Sequence, residues 1–305
     1  IVFGDWSSDV CSSDLYEPKV TPGVQPPGST ATLPAPGTDA SVEMPVPAFA
    51  SIAFPYSGYY ILRSGWDRNA LHVYFKGGRK GTGHSAATSN QIQLTAFGRT
   101  MLTRAGSGLY GPGPWPTYSA YVNSSFGHNT IVVDGRSQND PKAPQQQAPI
   151  PSRWLASDAF DFTEAKYDAG YEGLDAAITH QRQMVFFRQA GLFVVRDRIE
   201  AQEEHEYSQV WCLAKEYGEG QVLADLEGQR VVTRDGTGPN LAIYHSGPAV
   251  RYTRFFGQKE AQSRGWRDKD YPAVEVHASW KGAGTQQLLT VLYPRPAAEF
   301  DIERV

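Results

Sequence analysis

The chain has 305 residues with 28 Lys and Arg against 32 Asp and Glu, a net charge of −4. That length admits one large all-β domain or two small ones, and the charge balance excludes nucleic-acid binding through a global basic field. Hydrophobic residues at 40% and charged residues at 20% place the bulk among globular chains. No run of 18 apolar residues exists, which excludes a helical membrane span, and no basic region followed by an apolar stretch marks a signal peptide.

Asp5–Leu15 (DWSSDVCSSDL) resembles the in-frame translation of a sequencing adapter, so residues 1–15 are read as artefact. Setting them aside removes Cys11 and leaves Cys212, which permits neither an internal disulfide nor a cysteine metal site. Residues 16–48 carry eight prolines, which preclude regular helix or central strand, and they read as a semi-extended linker. From residue 49 short apolar runs alternate with Gly, Asn and Asp turns. Strands are expected over Gly58–Arg63, Ala70–Phe75, Gln91–Ala96, Thr130–Val133, Arg182–Phe187, Leu192–Ile199 and Glu206–Leu213. Further strands are expected over Gln221–Ala224, Arg230–Thr233, Leu241–Tyr244, Val250–Phe255, Val274–Ser279 and Gln287–Tyr293. Gln91–Thr95 alternates polar and apolar residues, so one face is buried and one solvated. Gln189-Ala190-Gly191 suits a hairpin loop. No amphipathic pattern reaches three helical turns. The fold class is therefore all-β, a layered antiparallel β-sandwich over 49–305.

Three features could carry chemistry. His84 lies in a glycine-rich segment with Arg79 and Lys80, where backbone can approach a ligand closely and two cations stand beside an imidazole. An incidental exposed histidine in a turn fits the same pattern. His128, in Phe126-Gly127-His128-Asn129-Thr130, precedes a strand and suits a metal ligand or a structural role, the latter favoured. His180, Arg182, Arg196, Asp197 and Arg198 flank the hairpin and read as solvated or ion-paired. The irregular, glycine-rich stretch 77–147 is either functional or a surface excursion. Motifs for zinc proteases, serine hydrolases, phosphate loops and CxxC redox centres are absent.

These features follow an order that resembles the C-terminal domain of the heparinase II/III-like family. The matching text is Phe54–Asp67, the glycine-rich segment with His84, Leu94–Arg99, Gly127–Gln138, His180-Gln181-Arg182, the hairpin into Asp197, and His205-Glu206-Tyr207. The resemblance covers about residues 50–215 well and the rest loosely. It implies a β-sandwich that completes the cleft of an enzyme whose N-terminal α/α toroid carries most of the catalytic groups. The implied reaction is β-elimination on uronic-acid polysaccharides, in the bacterial periplasm or cell exterior. His84 matches a histidine that assists at the active site, and Arg79, Lys80 and Arg104 become candidates for binding an acidic polysaccharide. Of the family's zinc ligands, His128 matches one, while Ala86 and Arg104 stand where a histidine and an aspartate are expected, and Thr88 replaces an acidic neighbour. The resemblance therefore implies no zinc and no other cofactor, with Arg104 as a fixed cation in the ion's place. A chain without the toroid is expected to be inactive alone. The alternative is a non-catalytic carbohydrate-binding or structural module with a degenerate metal site.

Overall fold

The computed structural model describes residues 46–78, 86–106, 114–139, 149–174 and 177–296. The described residues from Phe49 onward belong to one compact unit. The first sheet is an antiparallel meander in chain order: β1 (Ile52–Phe54), β2 (Tyr59–Arg63), β3 (His72–Lys76), β4 (Gln91–Ala96) and β5 (Arg99–Leu102). The period of two is realised in β4, where Ile92, Leu94 and Ala96 are buried and Gln93 and Thr95 are half-buried. Phe97 and Gly98 turn the chain into β5 with φ of 54° and 74°, the two-residue geometry that matches strand twist.

After β5 the chain forms one short helix, α1 (Tyr118–Val122), a 3-10 turn over Ser125–Gly127, and β6 (Ile131–Val133). The second sheet then builds from β7 (Arg153–Ala156), β8 (Phe160–Tyr167), β9 (Thr179–Phe187), β10 (Leu192–Cys212), β11 (Val222–Asp225), β12 (Arg230–Thr233), β13 (Asn240–Ser246), β14 (Arg251–Phe256) and β15 (Val274–Arg295). Its order is β11-β12-β13-β15-β10-β9-β8-β7, with β14 also on β15 and β6 also on β10. The expected all-β, antiparallel layered sandwich is what forms.

Two expected pairs of strands are single long ones. Glu206–Leu213 continues Leu192–Ile199 as β10, and Gln287–Tyr293 continues Val274–Ser279 as β15. The two run antiparallel throughout, with a bulge between Ala201 and His205. The bulge puts the exposed Gln202-Glu203-Glu204 mid-strand, which is why the sequence reads there as a connection. Four strands lie outside the expected set: β1, β5, β7 and β8. The main core fills the space between the sheets, with Tyr60, Leu62, Val73, Phe75, Ile92 and Leu94 meeting Met184, Phe186, Phe193, Val195, Trp211 and Leu292, all fully buried.

Candidate functional site

The histidine-bearing segment before β6 is pinned by its own side chains. Asn129 donates through Nδ2 to the carbonyls of Ile92 (2.7 Å) and Thr103 (3.0 Å) and accepts from the Cys212 amide (2.6 Å). Thr130 Oγ1 donates to the Ser89 carbonyl (2.8 Å), and Ser125 Oγ to that of Ala87 (2.8 Å). These bonds tie four pieces of chain, β4, Thr103 after β5, β10 and residues 86–89, to one point. A buried polar segment is tolerated only when its groups are satisfied in this way.

His128 sits on that point, 1% exposed. Its Nδ1 donates to the Ser124 carbonyl at 2.8 Å, which fixes the tautomer with the lone pair on Nε2. Burial, then the Arg104 guanidinium, pull its pKa down to about 3, with Lys76 and Arg267 adding to the same effect. The ring is therefore neutral at physiological pH. Arg104 is held beside it by its neighbours: the Thr103 amide donates to the Cys212 carbonyl (3.0 Å) and the Ala105 amide to the Gly127 carbonyl (2.7 Å).

The structure adds two cations that the sequence did not single out. Lys76 ends β3, is 8% exposed, and donates to Thr88 Oγ1 at 2.8 Å. Arg267 is 6% exposed, and its backbone carbonyl lies against Gly106, where a Cβ would come within 2.8 Å of it. Burial alone would lower the pKa of Arg267, and Cys212, Tyr121 and Glu275 outweigh that effect and hold it above the usual value. For Lys76 a usable signal lay in the sequence: from Arg68 to Val133 there are six cations (Arg68, Lys76, Arg79, Lys80, Arg99 and Arg104) and no Asp or Glu.

As a donor set for a dication this group is poor. It offers one imidazole, His128. Ala86 has no donor atom, and Arg104 and Lys76 are cations that repel a metal ion. Thr88 is engaged by Lys76.

His84, Arg79 and Lys80 lie outside the described residues, so of the candidate site residues the structure brings together only Arg104 and His128. The described residues on either side of 79–85 are both anchored near His128. Ser89 Oγ donates to the Gly78 carbonyl (3.1 Å), and the Ala87 amide donates to the carbonyl of Asn123 (3.0 Å), five residues before His128.

The charged residues around the β9–β10 hairpin are structural. Arg182 and Asp197 are fully buried in the middle of their strands, at 2.7 and 2.9 Å in a two-point pair. Asp197 also accepts from His180 Nε2 (2.6 Å) and Gln209 Nε2 (2.7 Å). Arg182 Nη1 donates to the carbonyls of Asn90 and Asn129, both at 2.7 Å. This ion pair thus supports the His128 segment from beneath. Arg196 instead reaches Gln183 and Gln287 on the outer face, each at 2.9 Å.

Comparison with known proteins places this geometry. The sequence model of the family described as Heparinase II/III-like, C-terminal matches residues 46–285. A heparin-sulfate lyase of Pedobacter heparinus is 26% identical over 251 residues, covering 81% of this chain and 35% of that protein. A heparin-sulfate lyase of Bacteroides stercoris is 21% identical over 204 residues, covering 67% and 28%. The chain thus spans about a third of the length of these relatives. Among solved structures, the heparan sulfate lyase HepC of Pedobacter heparinus superposes with a TM-score of 0.68 at 21% identity, over 83% of this chain and 38% of that one. The heparinase III BT4657 gene product gives 0.67 at 19% identity, over 83% and 37%. At these identities the structural matches speak for the fold.

Proposed function

The chain belongs to the heparinase II/III-like, C-terminal family, and from that premise we propose that it is the β-sandwich part of a polysaccharide lyase that cleaves uronic-acid glycans by β-elimination. In that reading it completes the substrate cleft, needs an N-terminal α/α toroid for turnover, and is inactive alone. The observation that carries the reading is a buried cationic cluster: Lys76 and Arg104, from a stretch of sequence without carboxylates, and Arg267 from outside it all act on one neutral imidazole. Elimination needs the uronate carboxylate neutralised while a base takes the C5 proton and an acid protonates the departing oxygen. Fixed cations supply the first requirement. His84 supplies proton transfer, and Arg79, Lys80 and Arg104 bind the acidic polysaccharide.

No zinc is part of this site. Arg104 takes the place of the ion's charge, and the buried His128 keeps a structural role as the one surviving ligand position. Stoichiometric zinc coordinated through His128 would contradict this. The working location is the bacterial periplasm or exterior, where acidic glycans are met; the names of the relatives, heparin-sulfate lyases, support an acidic substrate.

A second reading is a non-catalytic carbohydrate-binding or structural module, favoured by Ala86, Thr88 and Arg104 at the metal positions. The discriminating experiment is His84→Ala in the complete protein. Turnover falls by about two to four orders of magnitude if His84 moves a proton. A change of less than about threefold makes it a bystander.

A further inference from the structure

The guanidinium of Arg267 is buried beside the Cys212 thiol, and Nε, Nη1 and Nη2 have no oxygen or nitrogen acceptor among the described residues. A buried guanidinium with five donors and no acceptor is costly unless an anion completes it. Glu275, whose charge acts on Arg267, and Asp268, its neighbour in sequence, bond other groups. Glu275 Oε2 accepts from Tyr121 (2.7 Å) and the Gly265 amide (2.9 Å), and its Oε1 accepts from His277 (2.7 Å) with Arg264 at 3.7 Å. Asp268 Oδ1 accepts from the amides of Asp270 (2.8 Å) and Tyr271 (3.1 Å). Neither hydrogen-bonds Arg267.

Arg267 is also close to the surface. Asp268 is half-buried, and Lys269 and Asp270 are exposed. On its inner side it meets Gly106, whose lack of a side chain permits the contact. The segment Thr103–Gly106 therefore runs between the His128 loop, through the Ala105–Gly127 bond, and Arg267. Arg104 lies on that same segment.

We propose that Arg267 is the anchor of an oxyanion subsite that takes a sulfate ester or a uronate carboxylate of the glycan in two-point fashion. This deepens the lyase reading and rests on it for the source of the anion. A guanidinium offers paired N–H donors that match both groups.

The test uses the 305-residue chain and needs no turnover. Inorganic sulfate, glucuronate and glucosamine 6-sulfate are titrated by calorimetry against sodium chloride at matched ionic strength. Saturable binding of at least one oxyanion is expected, and Arg267→Met should weaken it by about ten- to a hundredfold. Arg267→Lys, which keeps the charge and loses the fork, should fall between. Preference for glucuronate points to the carboxylate, preference for the sugar sulfate to the ester, and equal binding of inorganic sulfate to the shared chemistry. Absence of saturable binding in the unmodified chain overturns the proposal, as does unchanged affinity in the Met variant. Should Arg267→Met fail to fold, unchanged affinity in Arg267→Lys does the same. If oxyanions bind through Arg267 and the complete protein lacks lyase activity, the lyase reading fails and the subsite stands. If the protein is a lyase and oxyanions ignore Arg267, only the subsite falls.

Discussion

Asp197→Ala tests what holds the His128 segment in place. Asp197 accepts from Arg182 twice, from His180 and from Gln209, at 2.6–2.9 Å, and is fully buried with Arg182 and His180. Burial alone would raise its pKa, and the Arg182 guanidinium and His180 outweigh that, holding the carboxyl well below its ordinary range. Truncation leaves the Arg182 cation in the core with only its carbonyl partners. Breaking one side of a buried pair costs about 3–5 kcal/mol. In a domain of this size that is a fall in Tm of about 6–20 °C at 2–4 °C per kcal/mol. Urea unfolding followed by tryptophan fluorescence measures it. Because Arg182 also holds the carbonyls of Asn90 and Asn129, amide exchange around residues 128–131 should rise with it. A loss below about 1 kcal/mol, the range of a surface pair, would refute the claim that this pair supports the site.

Burial holds His72 and His245 neutral, each with a pKa lowered to about 4, the Arg63 cation adding to the effect at His72. The unfolded chain protonates these rings near pH 6.5 and the folded chain does not, so stability present above pH 6.5 is lost as pH falls toward 4. Each ring contributes a slope of up to about 1.4 kcal/mol per pH unit; equal urea midpoints at pH 7 and pH 5 would contradict this. Cys212 is fully buried, and burial pushes its thiol up to about 12. Iodoacetamide should leave it unlabelled in the native protein and label it in urea, read by peptide mass spectrometry. Gly58 has a φ of 68°, and a Cβ there would lie 2.5 Å from the Gly78 amide nitrogen. Gly58→Ala should cost more than about 1 kcal/mol, through backbone at the entrance to residues 79–85; an unchanged urea midpoint would argue against that contact.

Where polar and apolar residues alternate in the ordinary sense, strands were legible, as in β4. β8 inverts the pattern. Asp161 and Thr163 point inward and Phe160 and Phe162 outward, because Asp161 is fully buried against Arg188 at 2.8 Å and Ser51 at 2.5 Å. An ion pair across the sheet edge therefore hides the strand from any hydrophobic reading. β7 is an edge strand with mostly exposed residues, so it too lacks a signature. Of the site, His128 and Arg104 were visible because they sit in recognisable text. Lys76 was legible only as a member of the run without carboxylates, and Arg267 was not, since it reaches them from more than a hundred residues away and long-range packing leaves no local mark. Arg182 and Asp197 were read as hairpin flanks, and their burial mid-strand follows from partners on β10 and the Asn129 loop that only the fold brings near.

The most direct measurement is an ultraviolet assay for unsaturated uronate ends, with the complete reading frame and this chain incubated separately on a uronic-acid polysaccharide. The complete protein should release double-bonded ends with no reducing sugar formed by hydrolysis, and this chain should release none. A complete protein that binds the polysaccharide and never cuts it would leave a carbohydrate-binding module in place of a lyase.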